Sequence, residues 1–290
     1  MGSTVIEVAK AAGVSTATVS RVFSRHPNIR AEIREKVFSV AKELDYSPRF
    51  RKNRKDVAVI TPSRKVFPVQ AYSDMIVAAL SEVFAESNYR MELIPVQNLD
   101  MLYNSRICGA ISLLGSGFEP DWNKDFDVPL VCINYYEKTN GNIYTVCSNE
   151  EQGLDLAIEH LHKHHHRKIG IILTGVRDQT VSNLNRENAF IRAMIKYGMT
   201  PEPNLIRYVD KNLYEQVGKV IQSGATAIIS SGESEGQRMA YVLSLFGKKV
   251  PEDISLITYE WPHVSEYCIP PQTTLCQNAQ EISRKVLDIL

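Results

Sequence analysis

From residue 56 onward short apolar runs alternate with longer stretches of helical period, and few folds satisfy that alternation. Strands separated by helices pair in parallel, so the pattern predicts α/β layers around parallel sheets. The first series places strands over 57–61, 90–95, 109–113 and 130–134, with a helix over 72–87 between the first two. The second runs helix 152–163, strand 168–173, helix 185–197, strand 205–208, helix 213–223, strand 227–230, helix 235–246 and strand 254–258. An extended stretch over 273–276 and a last helix from Ala279 complete it. At 290 residues the chain is long for one core, which favours a small domain plus a larger two-lobed one. Open parallel sheets bind ligands beyond the carboxyl ends of their strands, so a cleft between two such lobes is the expected pocket.

The first fifty residues follow another period. Val5, Val8, Ala9 and Ala12 share one helical face, and Gly13 breaks it before Val14 and Ser15. Ser15 is placed to cap a second helix over 16–23 that turns Val19, Val22 and Phe23 inward. A third helix over 31–44 carries Ile33, Val37, Val40, Ala41 and Leu44 and closes a small core. Two short helices across a tight glycine turn make a helix-turn-helix, although any three-helix mini-domain would show this spacing. In the DNA-binding version the start of the second helix enters the major groove. That assigns Thr16, Ala17 and Arg21 to base edges: arginine bonds bidentately to guanine, and small side chains approach a thymine methyl. Ser15, Thr18 and Ser20 suit phosphates, and Thr4 and Arg25 complete the DNA-contacting candidates of this unit.

Charge agrees with a polyanionic partner for this end of the chain. Residues 1–55 hold 12 Lys and Arg against 5 Asp and Glu, and the remainder holds 21 against 28, so a neutral total hides a basic head on an acidic body. Five cysteines, Cys108, Cys132, Cys147, Cys268 and Cys276, are odd in number and widely spaced, which predicts reduced and mostly buried thiols. No apolar run approaches the roughly 18 residues a bilayer needs, and the N-terminus lacks the pattern of a secretory signal. A cytoplasmic protein without a membrane segment is the expectation.

The run Val8-Ala9-Lys10-Ala11-Ala12-Gly13-Val14-Ser15-Thr16-Ala17-Thr18-Val19-Ser20-Arg21-Val22 resembles the head of LacI/GalR repressors, and Glu43-Leu44-Asp45-Tyr46-Ser47-Pro48 resembles its end. Further stretches at 185–190, 250–255 and 269–274 extend the likeness over essentially the whole chain. The resemblance implies a small all-α helix-turn-helix DNA-binding domain over 1–48, a basic linker over 49–55, and a two-lobed periplasmic-binding-protein-like α/β sensor domain with parallel sheets over 56–290. The N-lobe would comprise about 56–148 and 277–290, and the C-lobe 149–276. It also implies a repressor that binds a pseudo-palindromic double-stranded DNA operator as a homodimer. A small-molecule effector in the cleft, a carbohydrate at the family level, would control its affinity, with no cofactor and no metal.

Carried over residue by residue, Arg186 matches an arginine that grips effector hydroxyls or carboxylates, a task suited to a rigid guanidinium fork. Glu260 stands where an aspartate is usual, Gly232 and Glu233 replace an Asn-Asp pair, and Asn134 and Gln277 are further effector-binding candidates at the lobe edges. The linker departs from the pattern, because the hinge helix and its wedging leucine are missing. Arg49 and Arg51 flank Phe50 there, and the segment reads either as a basic arm along phosphates or a narrow minor groove, or as a solvated linker. The chain also stops about forty residues earlier than the family pattern, which leaves either a missing crossover with open sheet edges or a shortened sequence.

Five of the seven histidines crowd 160–166, and His160 with His164 is an i, i+4 pair suited to zinc or nickel. The same stretch also suits a helix C-terminus, which favours cations, and the metal reading is the weaker of the two. No phosphate loop, nucleophile elbow or His-Glu-x-x-His occurs, so enzyme chemistry is not expected. A carrier-type small-molecule binding protein would share the body but carry a signal peptide in place of the basic head.

Overall fold

A computed structural model of the chain describes residues 3–23, 29–44, 46, 56–62, 72–115, 121–174, 181–209, 212–231, 235–259 and 261–290. The head consists of α1 (Val5–Ala12), α2 (Thr16–Phe23) and α3 (Ala31–Glu43). Thr4 caps α1, accepting from the Glu7 amide while the Glu7 carboxylate accepts from the Thr4 N–H. Gly13 ends the helix at φ 67°, a left-handed conformation that glycine adopts without a Cβ clash, and the Val14 N–H closes the turn on the Ala9 carbonyl at 2.9 Å. The three helices bury Val8, Ala9, Ala12, Val19, Val22, Val37 and Ala41 against one another, and Phe23 meets Phe38 and Tyr46 edge-on. A core of seven small side chains is a thin one, so caps and turn geometry carry a larger share of its stability.

The first sheet of the body is formed by β1 (Asp56–Thr61), β2 (Arg90–Pro95), β3 (Gly109–Ser112), β4 (Leu130–Ile133) and β5 (Ile143–Val146) in the order β2-β1-β3-β4-β5, every pair parallel. Helix α4 (Tyr72–Glu86) lies between β1 and β2, α5 (Asp100–Asn104) between β2 and β3, and α6 (Trp122–Asp125) between β3 and β4. The chain then passes through 147–149 into α7 (Glu150–Lys163), β6 (Ile169–Thr174), α8 (Val181–Lys196), β7 (Ile206–Val209), α9 (Leu213–Gln222), β8 (Ala227–Ser231), α10 (Glu235–Leu245), β9 (Ser255–Tyr259), α11 (Pro262–Ser265) and β10 (Thr273–Leu275). The second sheet is also parallel, in the order β10-β9-β8-β6-β7. After 276–278 the chain returns as α12 (Ala279–Ile289), whose Ile282 and Val286 join the core under the first sheet with Ile76, Leu80 and Phe84 of α4. The central strands β1, β3, β4, β6, β8 and β9 are apolar and buried, as parallel sheets require, while the edge strands β2, β5, β7 and β10 are partly exposed.

Several elements differ from the pattern read in the sequence: the short helices α5, α6 and α11, only four or five residues long, carry no helical period of their own, and two further cases have physical reasons. Strand β5 was not anticipated: it is four residues long at a sheet edge and leaves Tyr144 and Thr145 exposed, so it shows no alternation. Helix α8 starts four residues before 185, because Asn183, a poor helix former, is buried and donates to the Thr174 carbonyl at 2.6 Å, a tertiary bond that offsets its low propensity. Of the thiols only Cys132 and Cys268 are buried; Cys108 is half-buried and Cys147 and Cys276 are exposed, so "mostly buried" was too strong. No helix among the described residues is long and apolar enough to cross a membrane.

Phe190 of α8 is fully buried in the C-lobe core beside Met194 and Ile229. Phe190→Ala is expected to lower the unfolding free energy by about 3–5 kcal/mol, read as a drop in the urea midpoint of the full chain.

Candidate functional site

Helix α2 presents two different faces. Val19 and Val22 point into the head core, and Thr16, Ala17 and Arg21 lie exposed on the other side. Ser15 caps the helix as expected: its Oγ accepts from the Thr18 amide at 3.0 Å and lies 2.9 Å from the Thr18 hydroxyl. Ser15, Thr18 and Thr4 therefore already serve the helix ends, while half-buried Ser20 sits on the flank of α2. Arg25, Arg49 and Arg51 lie outside the described residues, as do Gly232, Glu233 and Glu260.

The body site forms where the carboxyl ends of β6, β8 and β9 meet the crossover into α7. Arg186 on α8 is 17% exposed and directs its Nη2 to Glu150 Oε1 at 3.0 Å. Its Nη1 donates to the Ser231 Oγ at the end of β8 at 3.4 Å, and its guanidinium lies 4.5 Å from the centre of the Tyr259 ring. The Nε of Arg186 is buried and has no acceptor among the described residues. Burial opposes the charge on Arg186, yet the Glu150 carboxylate and its hydrogen bond more than offset it, so the guanidinium holds its proton even more firmly than usual.

Glu150 is the counterpart that sequence reasoning missed. It is the first residue of α7, its side chain is 6% exposed, and acidic residues in a first helical turn are too common to signal a site. The Tyr259 hydroxyl donates to its Oε2 at 3.1 Å, and the Tyr136 hydroxyl, from the N-lobe, approaches Oε1 at 3.5 Å. Burial first and the Glu150 charge next raise both phenols above their ordinary range, so they stay protonated and donate.

Asn134 closes β4 at φ 53°, a left-handed turn that asparagine tolerates. That turn aims its amide at both crossovers: Nδ2 donates to Gln277 Oε1 at 3.0 Å and to the Tyr72 hydroxyl at 2.7 Å, while Oδ1 accepts from the Ser148 N–H at 2.9 Å. Asn134 and Gln277 are thus brought together, as ties between the two passages of the chain. Tyr72, at the start of α4, faces Trp261 of the other lobe with ring centres 6.2 Å apart and planes at 18°. Beside this assembly a cavity of about 500 Å³ opens between the crossovers, lined by Ser148, Glu150, Gly153, Tyr259, Gln277 and Asn278. Tyr72, Tyr136, Tyr259 and Trp261 carried no pattern in the sequence, although Tyr259 and Trp261 flank the predicted Glu260.

Comparison with known proteins follows the same division. Residues 4–49 match the family model described as bacterial regulatory proteins, lacI family, and residues 158–290 match the periplasmic binding protein-like domain. The HTH-type transcriptional repressor PurR of Pasteurella multocida is 27% identical over 310 residues, covering 99% of this chain and 91% of that protein. The ribose operon repressor of Haemophilus influenzae is 25% identical over 316 residues, with 99% and 91% covered. Among solved structures, a transcriptional regulator CelR–cellobiose complex superimposes with a TM-score of 0.68 at 24% identity, covering 99% of this chain and 92% of that one. The lac repressor dimer bound to operator and the anti-inducer ONPF gives 0.64 at 23% identity, with 99% and 91% covered.

The Glu150–Arg186 pair is testable by itself. Removing one partner of a buried ion pair strands the other charge and costs about 3–5 kcal/mol. Arg186→Met should reach that range in urea unfolding, and combining it with Glu150→Gln should recover part of the loss, giving a coupling energy in a double-mutant cycle.

Proposed function

We propose that the chain, whose head matches the lacI-family model and whose body matches the periplasmic binding protein-like domain, is a transcription repressor whose operator affinity is set by a small molecule in the body cleft. The observation that carries the reading is the exposed Thr16, Ala17 and Arg21 face of α2, backed by a buried Val19 and Val22 and aimed by the Gly13 turn. A short helix held on a three-helix core can enter a major groove, where Arg21 reads guanine and Thr16 and Ala17 allow close approach. Phosphate contacts come from Ser15, Thr18, Ser20 and Thr4 and from the basic residues Arg25, Arg49 and Arg51. The protein acts in the cytoplasm as a homodimer on a two-fold operator and has no catalytic role.

Arg186 is the effector anchor. Its unpartnered Nε offers a donor to a ligand hydroxyl or carboxylate, and Glu150 and the phenols beside it complete a polar floor. Asn134 and Gln277 stand at its edge, and Gly232, Glu233 and Glu260 are the further effector-binding candidates. A carbohydrate is the first reading, since the CelR structure that this body resembles holds cellobiose. The Tyr72–Trp261 pair favours a second: its near-parallel rings, with centres 6.2 Å apart across the two lobes, offer two aromatic faces to a flat heterocycle once the lobes part.

Arg21→Ala should abolish preference for the operator over random duplex while leaving salt-sensitive general affinity; unchanged discrimination would count against the head assignment. A thermal-shift screen of the full chain over sugars and nucleobases should raise the melting temperature with one class only, and Arg186→Ala should remove that shift while operator binding persists.

A further inference from the structure

The C-terminal end of α7 carries a second cluster that the cleft does not use. His160 and His164 stand one turn apart on α7, both exposed, with ring centres 4.6 Å apart. With metal–nitrogen bonds of about 2.0–2.1 Å and about 1.1 Å from ring nitrogen to ring centre, one ion shared by two imidazoles at roughly 90–110° holds the centres about 4.5–5.2 Å apart. The observed separation of 4.6 Å falls inside that window. Neither ring has a described hydrogen-bond partner, whereas His166 is held by both nitrogens, to Thr226 Oγ1 and to Ser255 Oγ, each at 2.9 Å. All three imidazoles line one surface cavity of about 450 Å³, together with Val250, Pro271 and Thr273.

The electrostatics permit a cation here in spite of the surrounding basic residues. His164 is the C-cap of α7, and the negative end of a helix favours positive charge. Lys163 is paired to Glu159 at 2.9 Å, and Arg167 donates to the carbonyls of His162 and His166 at 3.1 and 2.9 Å, so both are already partly compensated.

We propose that His160 and His164 form a two-imidazole chelate for a divalent transition cation of borderline softness, Zn²⁺, Ni²⁺ or Cu²⁺, on the outer face of the C-lobe. No group of three His, Cys, Asp or Glu able to hold a metal occurs among the described residues. The ion therefore keeps open positions filled by water or an external ligand, which makes the site exchangeable, unlike a closed structural one. Its occupation ties the last turn of α7 down and stabilises the C-lobe in proportion to free metal. This site is separate from the cleft, so its effect on stability does not require the effector.

Calorimetric titration of the metal-free full chain with ZnCl₂ alone is the test. Saturable uptake of one ion per chain and a rise in melting temperature are expected. His160→Gln and His164→Gln should each weaken uptake at least tenfold, since even indirect partners of a ligand cost about 10–100-fold, and His162→Gln, whose ring lies against Tyr197, should leave it unchanged. Both substituted residues are exposed, so the variants should retain the far-ultraviolet spectrum of the parent. Absence of saturable uptake, or undiminished uptake in the His160→Gln, His164→Gln double variant, overturns the proposal.

Discussion

The Glu150 carboxylate is the point on which the two halves of the body agree. It begins α7 at the place where the chain leaves the first sheet, and donors reach it from both lobes, Tyr136 on one side and Tyr259 and Arg186 on the other. A charge this buried is tolerated only with close partners, and the N-terminal end of a helix adds further compensation. The same interaction that makes burial of Glu150 possible therefore also orients Arg186 and limits how far the lobes turn about the crossovers. Under the proposed function, an effector that engages Arg186 would compete with or add to that contact, and the shift it causes would be bounded by its differential affinity for the two lobe arrangements.

The crossovers supply the second constraint. Asn134 bonds Ser148 on the outgoing passage and Gln277 on the returning one, so the two strands of the hinge are held at a fixed spacing. Motion that leaves these bonds intact is a rotation of one lobe against the other, with the Tyr72–Trp261 pair opening or closing across the cleft. In the proposed repressor, coupling such a rotation to two DNA-binding heads would need only that the heads be joined through paired bodies. The polar contacts at the hinge thus matter more for which states exist than for total stability.

The head works under the opposite economy. Its core is small, and its order depends on local devices: the Thr4–Glu7 capping box, the Ser15 cap and the left-handed Gly13. These devices also fix the exit angle of α2 and hence which side chains stand outward. The same few residues thus hold the small core together and decide which face of α2 is presented to solvent.

What could be read from the residues alone was whatever depends on local period and chain punctuation. The three head helices, the Gly13 turn, the Ser15 cap and nearly every strand of the two sheets follow from spacing of apolar side chains over a few residues, because a 3.6-residue or two-residue period is a local property. The short edge strand β5 escaped because an edge pairs on one side only and shows no alternation, and the early start of α8 escaped because one buried amide bond outweighed propensity. Arg186 and Asn134 were singled out through the resemblance, but the partners that hold them were not. Glu150, Tyr259 and Tyr136 lie far from Arg186 in the chain and acquire their roles only when two sheets bring their ends together, since burial, pairing and the resulting charge balance are set by distance in space, on which sequence separation carries no information.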